Sequence, residues 1–293
     1  MGLAYAGPQV LVVLSEDGVA YHEAAEAMRG YFQGHDATVS LRAIRAVDLD
    51  NSAAAQAQAD ILVAVGVRAM QDLAMDARPT LNILVPQQNF ELVRPPSKRD
   101  SRLFSAIYLD QPIARRLRLI QQLLPGRQHI GVLLGPTTLD RSKPLQKSAR
   151  EQQLALEVAQ VSSQEEIIPS LNQLLANSQV LLALPDPLIY NQNTAQSILL
   201  TSYRAQTPLI AYSKAYVQAG ALAAVFSTPA QIGRQAAEMV MRALQTKNFV
   251  LPAPQYPKYF SVDVNYQVAR SLGFVLKDEA TLLNQMQAGA ERE

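Results

Sequence analysis

Val10-Leu11-Val12-Val13-Leu14 and Ile130-Gly131-Val132-Leu133-Leu134 each open the same series of segments, and that repetition decides the fold. After the first run come strand-like stretches at 38–44, 61–66, 81–86 and 103–109. After the second they recur at 156–161, 180–184, 209–212 and 221–226. The third stretch starts 51 residues beyond the first in one half and 50 in the other; for the fifth the distances are 93 and 91. Two half-size α/β units in tandem imply two similar lobes, with a small ligand expected in the cleft between them.

The apolar runs lack in/out alternation, as parallel strands covered on both faces should. Between them lie helical segments. Residues 20–33 carry Ala24, Ala25, Met28 and Phe32 at helical spacing, and 52–59 are rich in Ala and Gln. In 115–124, Leu117, Ile120, Leu123 and Leu124 share one side, with Arg115, Arg118 and Gln122 on the other, and Pro125-Gly126 ends the helix. Ser163-Gln164-Glu165-Glu166 reads as a capping box opening a helix that runs to Leu175. A further helix spans 194–205. Thr228-Pro229-Ala230-Gln231 opens a long one reaching about Leu244, with Thr as N-cap, Pro at the first position and Gln reaching back.

The tail breaks the alternation. Pro252, Pro254 and Pro257 make an extended connector, 259–264 reads as one more strand, and helices at 267–272 and 279–288 follow. A leftover helix and strand must dock on units already complete. We therefore expect the long helix to return to the first lobe and the chain to cross again near Lys258. The expected fold class is α/β, with two Rossmann-like lobes of parallel sheet joined by a three-strand hinge. The N-terminal lobe would hold 1–109 plus 227–258, and the C-terminal lobe 110–226 plus 259–293.

Composition sets bounds. The 293 residues suit two domains, and 48% apolar with 17% charged residues is the balance of a soluble globular protein. Lys+Arg at 26 against Asp+Glu at 25 leaves a net charge of +1, which argues against a nucleic-acid partner. No stretch approaches the roughly 20 apolar residues that cross a bilayer. Cysteine is absent, which excludes disulfides and thiolate chemistry. Ala4-Tyr5-Ala6 has the small-x-small form of a signal-peptidase site just before the first strand, and an ordinary Ala-rich leader is the alternative.

Tyr108-Leu109-Asp110-Gln111-Pro112, Leu119-Ile120-Gln121-Gln122-Leu123-Leu124-Pro125 and His129-Ile130-Gly131-Val132-Leu133 resemble the crossover helix and following strand of one group of proteins. These are the solute-binding proteins of ABC transporters, of the tryptophan/tyrosine-uptake type. The likeness continues at Leu184-Pro185-Asp186-Pro187 and at Pro208-Leu209-Ile210-Ala211-Tyr212-Ser213. It extends through Gly220-Ala221-Leu222-Ala223-Ala224 to Thr228-Pro229-Ala230-Gln231-Ile232-Gly233. It implies a type I periplasmic binding protein fold that closes on a small molecule by hinge bending. It departs at Ile83-Leu84-Val85-Pro86-Gln87-Gln88-Asn89, where such proteins carry Phe-x-x-Val-x-Asp-Pro. The architecture therefore carries over and the ligand does not.

In open parallel sheets, ligands meet the loops at the carboxyl ends of the strands. In the first half those loops offer Ser15, Gly66, Val67, Arg68, Gln87, Gln88 and Tyr108. In the second they offer Thr137, Thr138, Asp186, Tyr190, Tyr212, Ser213 and Tyr216. Hydroxyls, amides, one carboxylate, one guanidinium and several tyrosines suit a zwitterionic or polar solute, amino-acid-like in character. Asp186 reads equally as the partner of a ligand ammonium or as a cap for the segment that follows it. Arg68 reads as a solvated side chain or a carboxylate clamp. Tyr212 and Tyr216 read as ligand walls or lobe filler.

Catalytic signatures are missing: there is no Gly-x-Ser-x-Gly elbow, Walker loop or Gly-x-Gly-x-x-Gly. His22-Glu23-Ala24-Ala25-Glu26 has Glu where a zinc-binding helix needs a second His. The expectation is a non-enzymatic periplasmic binding protein with no cofactor. Its partners would be a small-molecule ligand and an inner-membrane ABC permease, and it would act as a monomer whose signal peptide has been trimmed. A sensor of the same fold signalling to a membrane receptor, and an α/β enzyme on a small polar metabolite, are the alternatives.

Overall fold

In the computed structural model, which describes residues 7–93 and 103–290, the chain divides into two compact units, Met1–Asp110 with Ser227–Phe260 and Gln111–Phe226 with Ser261–Glu293. Ala4-Tyr5-Ala6 lies outside the described residues. The first unit is built from β1 (Gln9–Leu14), α1 (Val19–His35), β2 (Ser40–Arg45), α2 (Ala53–Gln58), β3 (Ile61–Val65), α3 (Val67–Asp72), β4 (Thr80–Val85), α4 (Gln87–Val93) and β5 (Phe104–Tyr108). All its strands are parallel, in the order β2-β1-β3-β4-β5.

The uninterrupted apolar runs are explained by burial on both faces. Val10, Val12, Leu14, Ile61, Val63, Val65, Leu81 and Ile83 meet Ala24, Ala25, Met28 and Phe32 of α1 on one side of the sheet. Their strand neighbours Leu11, Val13, Leu62, Ala64 and Ala106 meet Met70, Leu73 and Phe90 on the other. The period-2 geometry of a strand divides one hydrophobic run between two cores.

The second unit repeats this plan with α5 (Ile113–Leu123), β6 (His129–Leu134), α6 (Ser142–Glu151), β7 (Ala155–Gln160), α7 (Ile167–Leu175), β8 (Val180–Leu182), α8 (Ala195–Arg204), β9 (Leu209–Ala211), α9 (Lys214–Ala219) and β10 (Ala223–Phe226). The chain then gives α10 (Pro229–Leu244) to the first unit and returns with β11 (Ser261–Val264), α11 (Tyr266–Ser271) and α12 (Glu279–Ala290). The sheet order is β11-β10-β9-β8-β6-β7, the order of the first sheet plus β11, which pairs antiparallel on β10. The duplication seen in strand spacing is thus a duplication of topology.

Helix α10 starts where the sequence places it. The Thr228 hydroxyl accepts the Gln231 N–H (3.1 Å), and Gln231 Oε1 accepts the Thr228 N–H (2.9 Å). Its small-residue face, with Gly233, Ala236 and Ala237, lies on α1. A Cβ on Gly233 would stand 2.2 Å from the carbonyl oxygen of Ala24, so only glycine lets the backbones approach this closely.

Two expectations need correction. Helix α7 begins at Ile167, and Glu166 Oε2 reaches back to the N–H of Ser162 (2.7 Å) rather than completing a box with Ser163 as N-cap. The 86–88 stretch is not a loop: Gln87 and Gln88 open α4, and the carboxylate of Asp110 accepts the Gln87 N–H at 2.7 Å. Just before it, Leu84 sits at φ 54 in a bulge between β4 and β5, which re-aims the strand end towards that helix.

The proline-rich connector covers the exposed edge of β5. Gln255 donates its N–H to Ala106 O (2.9 Å), and its carbonyl accepts from Tyr108 N (3.0 Å). The neighbouring Pro254 has no N–H to offer another strand on the outer side. Replacing Gly233 with Ala should lower unfolding free energy by about 1–3 kcal/mol through overpacking. Gly30→Ala, on the exposed face of α1 with nothing within 4 Å, should raise it by about 0.5–1 kcal/mol. Urea denaturation of the two variants checks the pair, and equal effects would contradict the tight α1–α10 contact.

Candidate functional site

A doubly wound sheet opens a crevice at its carboxyl edge where the strand order reverses. In the first unit that point lies between β1 and β3, and Ser15 and Gly66 sit there. Ser15 Oγ accepts the N–H of Ala69 in the first turn of α3 (3.0 Å), and Ser15 N donates to Val65 O. Gly66 is at φ 91, and a Cβ there would lie 2.6 Å from Ser15 Oγ and 2.9 Å from the Tyr21 hydroxyl. Burial, then the nearby charge of Glu16, pushes the Tyr21 phenol above its usual range.

Val67 is half-buried against the second core of this unit. Arg68 points outward, with 61% of its side chain exposed and Asp72 3.9 Å away. The structure does not bring Arg68 to the other candidates. Gln87 accepts a hydrogen bond from the Tyr256 hydroxyl (2.7 Å), while Gln88 is half-buried one residue on. Tyr108 is buried edge-on to Phe90 and Tyr256, and its hydroxyl donates to Glu91 (3.2 Å).

In the second unit the reversal falls between β6 and β8. The loop after β6 supplies Thr137 and Thr138, and the segment after β8 supplies Asp186. Both threonine hydroxyls donate to Asp186 Oδ2, at 2.8 and 2.9 Å, and the Leu188 N–H donates to Oδ1 at 3.0 Å. Asp186 is 2% exposed, and a Cβ on Gly135 would fall within 2.8 Å of all three carboxyl atoms. The Asp186 carbonyl also accepts from Ile189 and Tyr190, closing the turn that follows. Asp186 therefore acts as a clasp across the reversal point.

Tyr190, Tyr212 and Tyr216 come together beside it. Their ring centroids are 5.1–6.1 Å apart, and Tyr190 stands nearly perpendicular to both others. Ser213 caps α9 by accepting from Tyr216 N (3.5 Å). Burial, then the neighbouring Tyr216 and Asp186, pushes the Tyr190 phenol well above its ordinary value. Burial also leads for Tyr212, followed by its hydrogen bond with Tyr216, while the positive charge of Arg116 acts in the opposite direction.

Arg116 is the residue that sequence reasoning missed. It is the fourth residue of α5, is 3% exposed, and falls in with Leu119, Ile120 and Leu123 on the buried face. The signal was present: spacings of 3, 4 and 7 residues from those leucines and isoleucine put Arg116 on the apolar stripe. Among the described residues there is no group of three or more His, Asp or Glu placed to hold a metal ion. His22 of the zinc-like motif is half-exposed and pairs with Asp17 at 2.5 Å.

A family model described as ABC transporter substrate binding protein matches residues 95–286. The chain belongs to this family of substrate-binding proteins. No curated protein sequence matches it. Among solved structures, a ligand-free, open substrate-binding protein with adhesive properties from Clostridium difficile is 15% identical with TM-score 0.73, covering 92% of this chain and 96% of its own. A Streptococcus pneumonia ABC domain in complex with L-Trp is 15% identical with TM-score 0.61, covering 95% and 98%. A conserved domain protein from Vibrio cholerae is 19% identical with TM-score 0.60, covering 94% and 97%. At these identities the likeness is one of fold, the periplasmic binding protein fold. The family and fold are those of binding proteins rather than enzymes, and the family is extracytoplasmic. Among the described residues no helix is long and apolar enough to cross a membrane.

Asp186→Ala should cost this substrate-binding protein about 3 kcal/mol, because it strips a charged acceptor from one buried and two half-buried donors. Arg68→Ala should stay within about 0.5 kcal/mol of the parent in the same urea titration. The tyrosines give a pH test. Raised folded-state values mean their contribution to stability is complete below pH 10.0, the ordinary tyrosine value, and is lost as pH rises beyond it. Stability should fall above that pH, and the fall should shrink in Tyr190→Phe.

Proposed function

We propose that this chain is the solute-binding component of an ABC importer and captures a small polar organic solute at the carboxyl-edge loops of its two units. Hinge bending at the three chain crossings, 110–111, 226–227 and 260–261, would accompany capture and release. The solute would pass unchanged to an inner-membrane permease, with the protein acting as a monomer in the periplasm after signal-peptide removal. The observation that carries this reading is the family match over residues 95–286. The site chemistry agrees with it: at the two reversal points the polar groups are hydroxyls and a shielded carboxylate, bonded to one another or to backbone N–H groups. The proposed contact residues are Ser15, Gly66, Val67, Gln87, Gln88 and Tyr108 of the first unit, and Thr137, Tyr190, Tyr212, Ser213 and Tyr216 of the second. Arg116 joins this set.

Thermal-shift screening of refolded, ligand-stripped protein tests the reading. The panel would hold amino acids, aromatic acids, nucleobases, sugars and dipeptides. With no tryptophan and 11 tyrosines, intrinsic fluorescence is the poorer readout. A solute at 100 times its dissociation constant should add about 2.7 kcal/mol and raise the melting temperature by several degrees. Mass spectrometry should then recover it intact. Turnover of the bound compound would contradict the reading.

A further inference from the structure

We propose that the second unit selects a solute bearing a carboxylate and an apolar, aromatic body but no amine. This rests on the solute-binding reading above and names the chemical class that reading leaves open.

The argument is an inventory of hydrogen-bonding capacity at the carboxyl edge of the second sheet. Recognition of an ammonium group needs a buried or half-buried acceptor with spare capacity. Among the described residues of the second unit, Asp186 is the one buried carboxylate. The half-buried Asp263 and Glu279 lie towards the far end of β11, where Glu279 accepts the Val264 N–H and Val264 pairs with Ala223 at the start of β10. Asp186 already accepts from Thr137, Thr138 and Leu188, and Gly135 lies flat against it. An ammonium arriving there would have to displace the two hydroxyls that close the reversal point. Asp140, in the loop after β6, is solvent-exposed, where an ion pair contributes little.

Donors dominate the rest of the edge. Tyr190 is 6% exposed, and its hydroxyl, fully shielded, has no hydrogen-bond partner. An unmade hydrogen bond of this kind is costly, and an acceptor brought to it by a ligand would relieve that cost. Tyr212 and Tyr216 lie side by side with ring centroids 5.1 Å apart, and the cation of Arg116 lies near enough to Tyr212 to favour negative charge there. The influence of Arg116 on Tyr212 puts the N-terminal turn of α5 near this same edge. A phenol donor within the field of a cation favours a carboxylate. The three tyrosine rings, with Tyr190 edge-on to the other two, provide the apolar walls for the body of the solute. The Tyr190 hydroxyl is shielded in this conformation, so a solute would reach it as the Tyr190–Tyr212–Tyr216 cluster adjusts.

Matched ligands separate the outcomes. Calorimetric titration of ligand-stripped protein would compare 3-phenylpropionate with L-phenylalanine and phenethylamine, and indole-3-propionate with L-tryptophan and tryptamine. The carboxylates are expected to bind at least tenfold more tightly than their amine-bearing counterparts. Tyr190→Phe removes no internal hydrogen bond, so it should keep the parental circular dichroism while weakening the carboxylates about tenfold. Equal or tighter binding of the amino acids would overturn the proposal and leave the solute-binding reading in place. So would a folded Tyr190→Phe with unchanged affinity, or binding confined to sugars, nucleobases or dipeptides. No binding by any compound, those classes included, would overturn both.

Discussion

Parallel pairing is the constraint on which the rest of this structure depends. Two parallel strands cannot be joined by a tight turn, so each needs a crossover, and in both units a helix or helical turn supplies it. The crossovers bury both faces of the sheet, which is why Val10–Leu14 alternates between two cores rather than between core and water. They also send every loop that follows a parallel strand to the same edge of its sheet. Polar groups held there by short backbone segments are what the chain has available for chemistry.

At each reversal point this protein fills the crevice from within. The first unit uses Ser15 against the start of α3, with Gly66 trimmed to let the hydroxyl in; the second uses Asp186 against Thr137 and Thr138, with Gly135 trimmed in the same way. The two halves share topology but not chemistry: one hydroxyl accepting a backbone N–H, one carboxylate accepting three donors. Side chains engaged in this way are preorganised and rigid, and under the proposed function they would form the floor on which a solute rests. Specificity would then fall to the residues around that floor, the tyrosines of the second unit and Gln87 of the first.

Much of this was legible in the sequence, and the exceptions share a cause. The central strands and the Thr228–Gln231 box rest on patterns within a few residues, and the tandem repeat on the spacing between such stretches. Helix α4 was not legible, since Gln87-Gln88-Asn89 carries no cap of its own. Its first N–H is capped by Asp110, 23 residues away. The role of Asp186 was open for the same reason: its threonine partners lie 48 and 49 residues upstream and meet it only across two folded strands. For Arg68 the sequence left two readings open, whereas Arg116 drew none. The first sits at a helix start in the reversal region yet points outward. The second was passed over because an arginine in an amphipathic helix is expected on the wet face, although its spacing put it on the dry one.

The central claim is that both carboxyl edges hold the solute. Hydrogen exchange with and without the tightest-binding solute of the screen tests it most directly. The account predicts slowed exchange in the loops following β1, β3, β6, β8 and β9, in the first turn of α4 and at the three chain crossings, with the outer edges of both sheets unchanged. Protection confined to one unit, or appearing at the opposite edges, would contradict it.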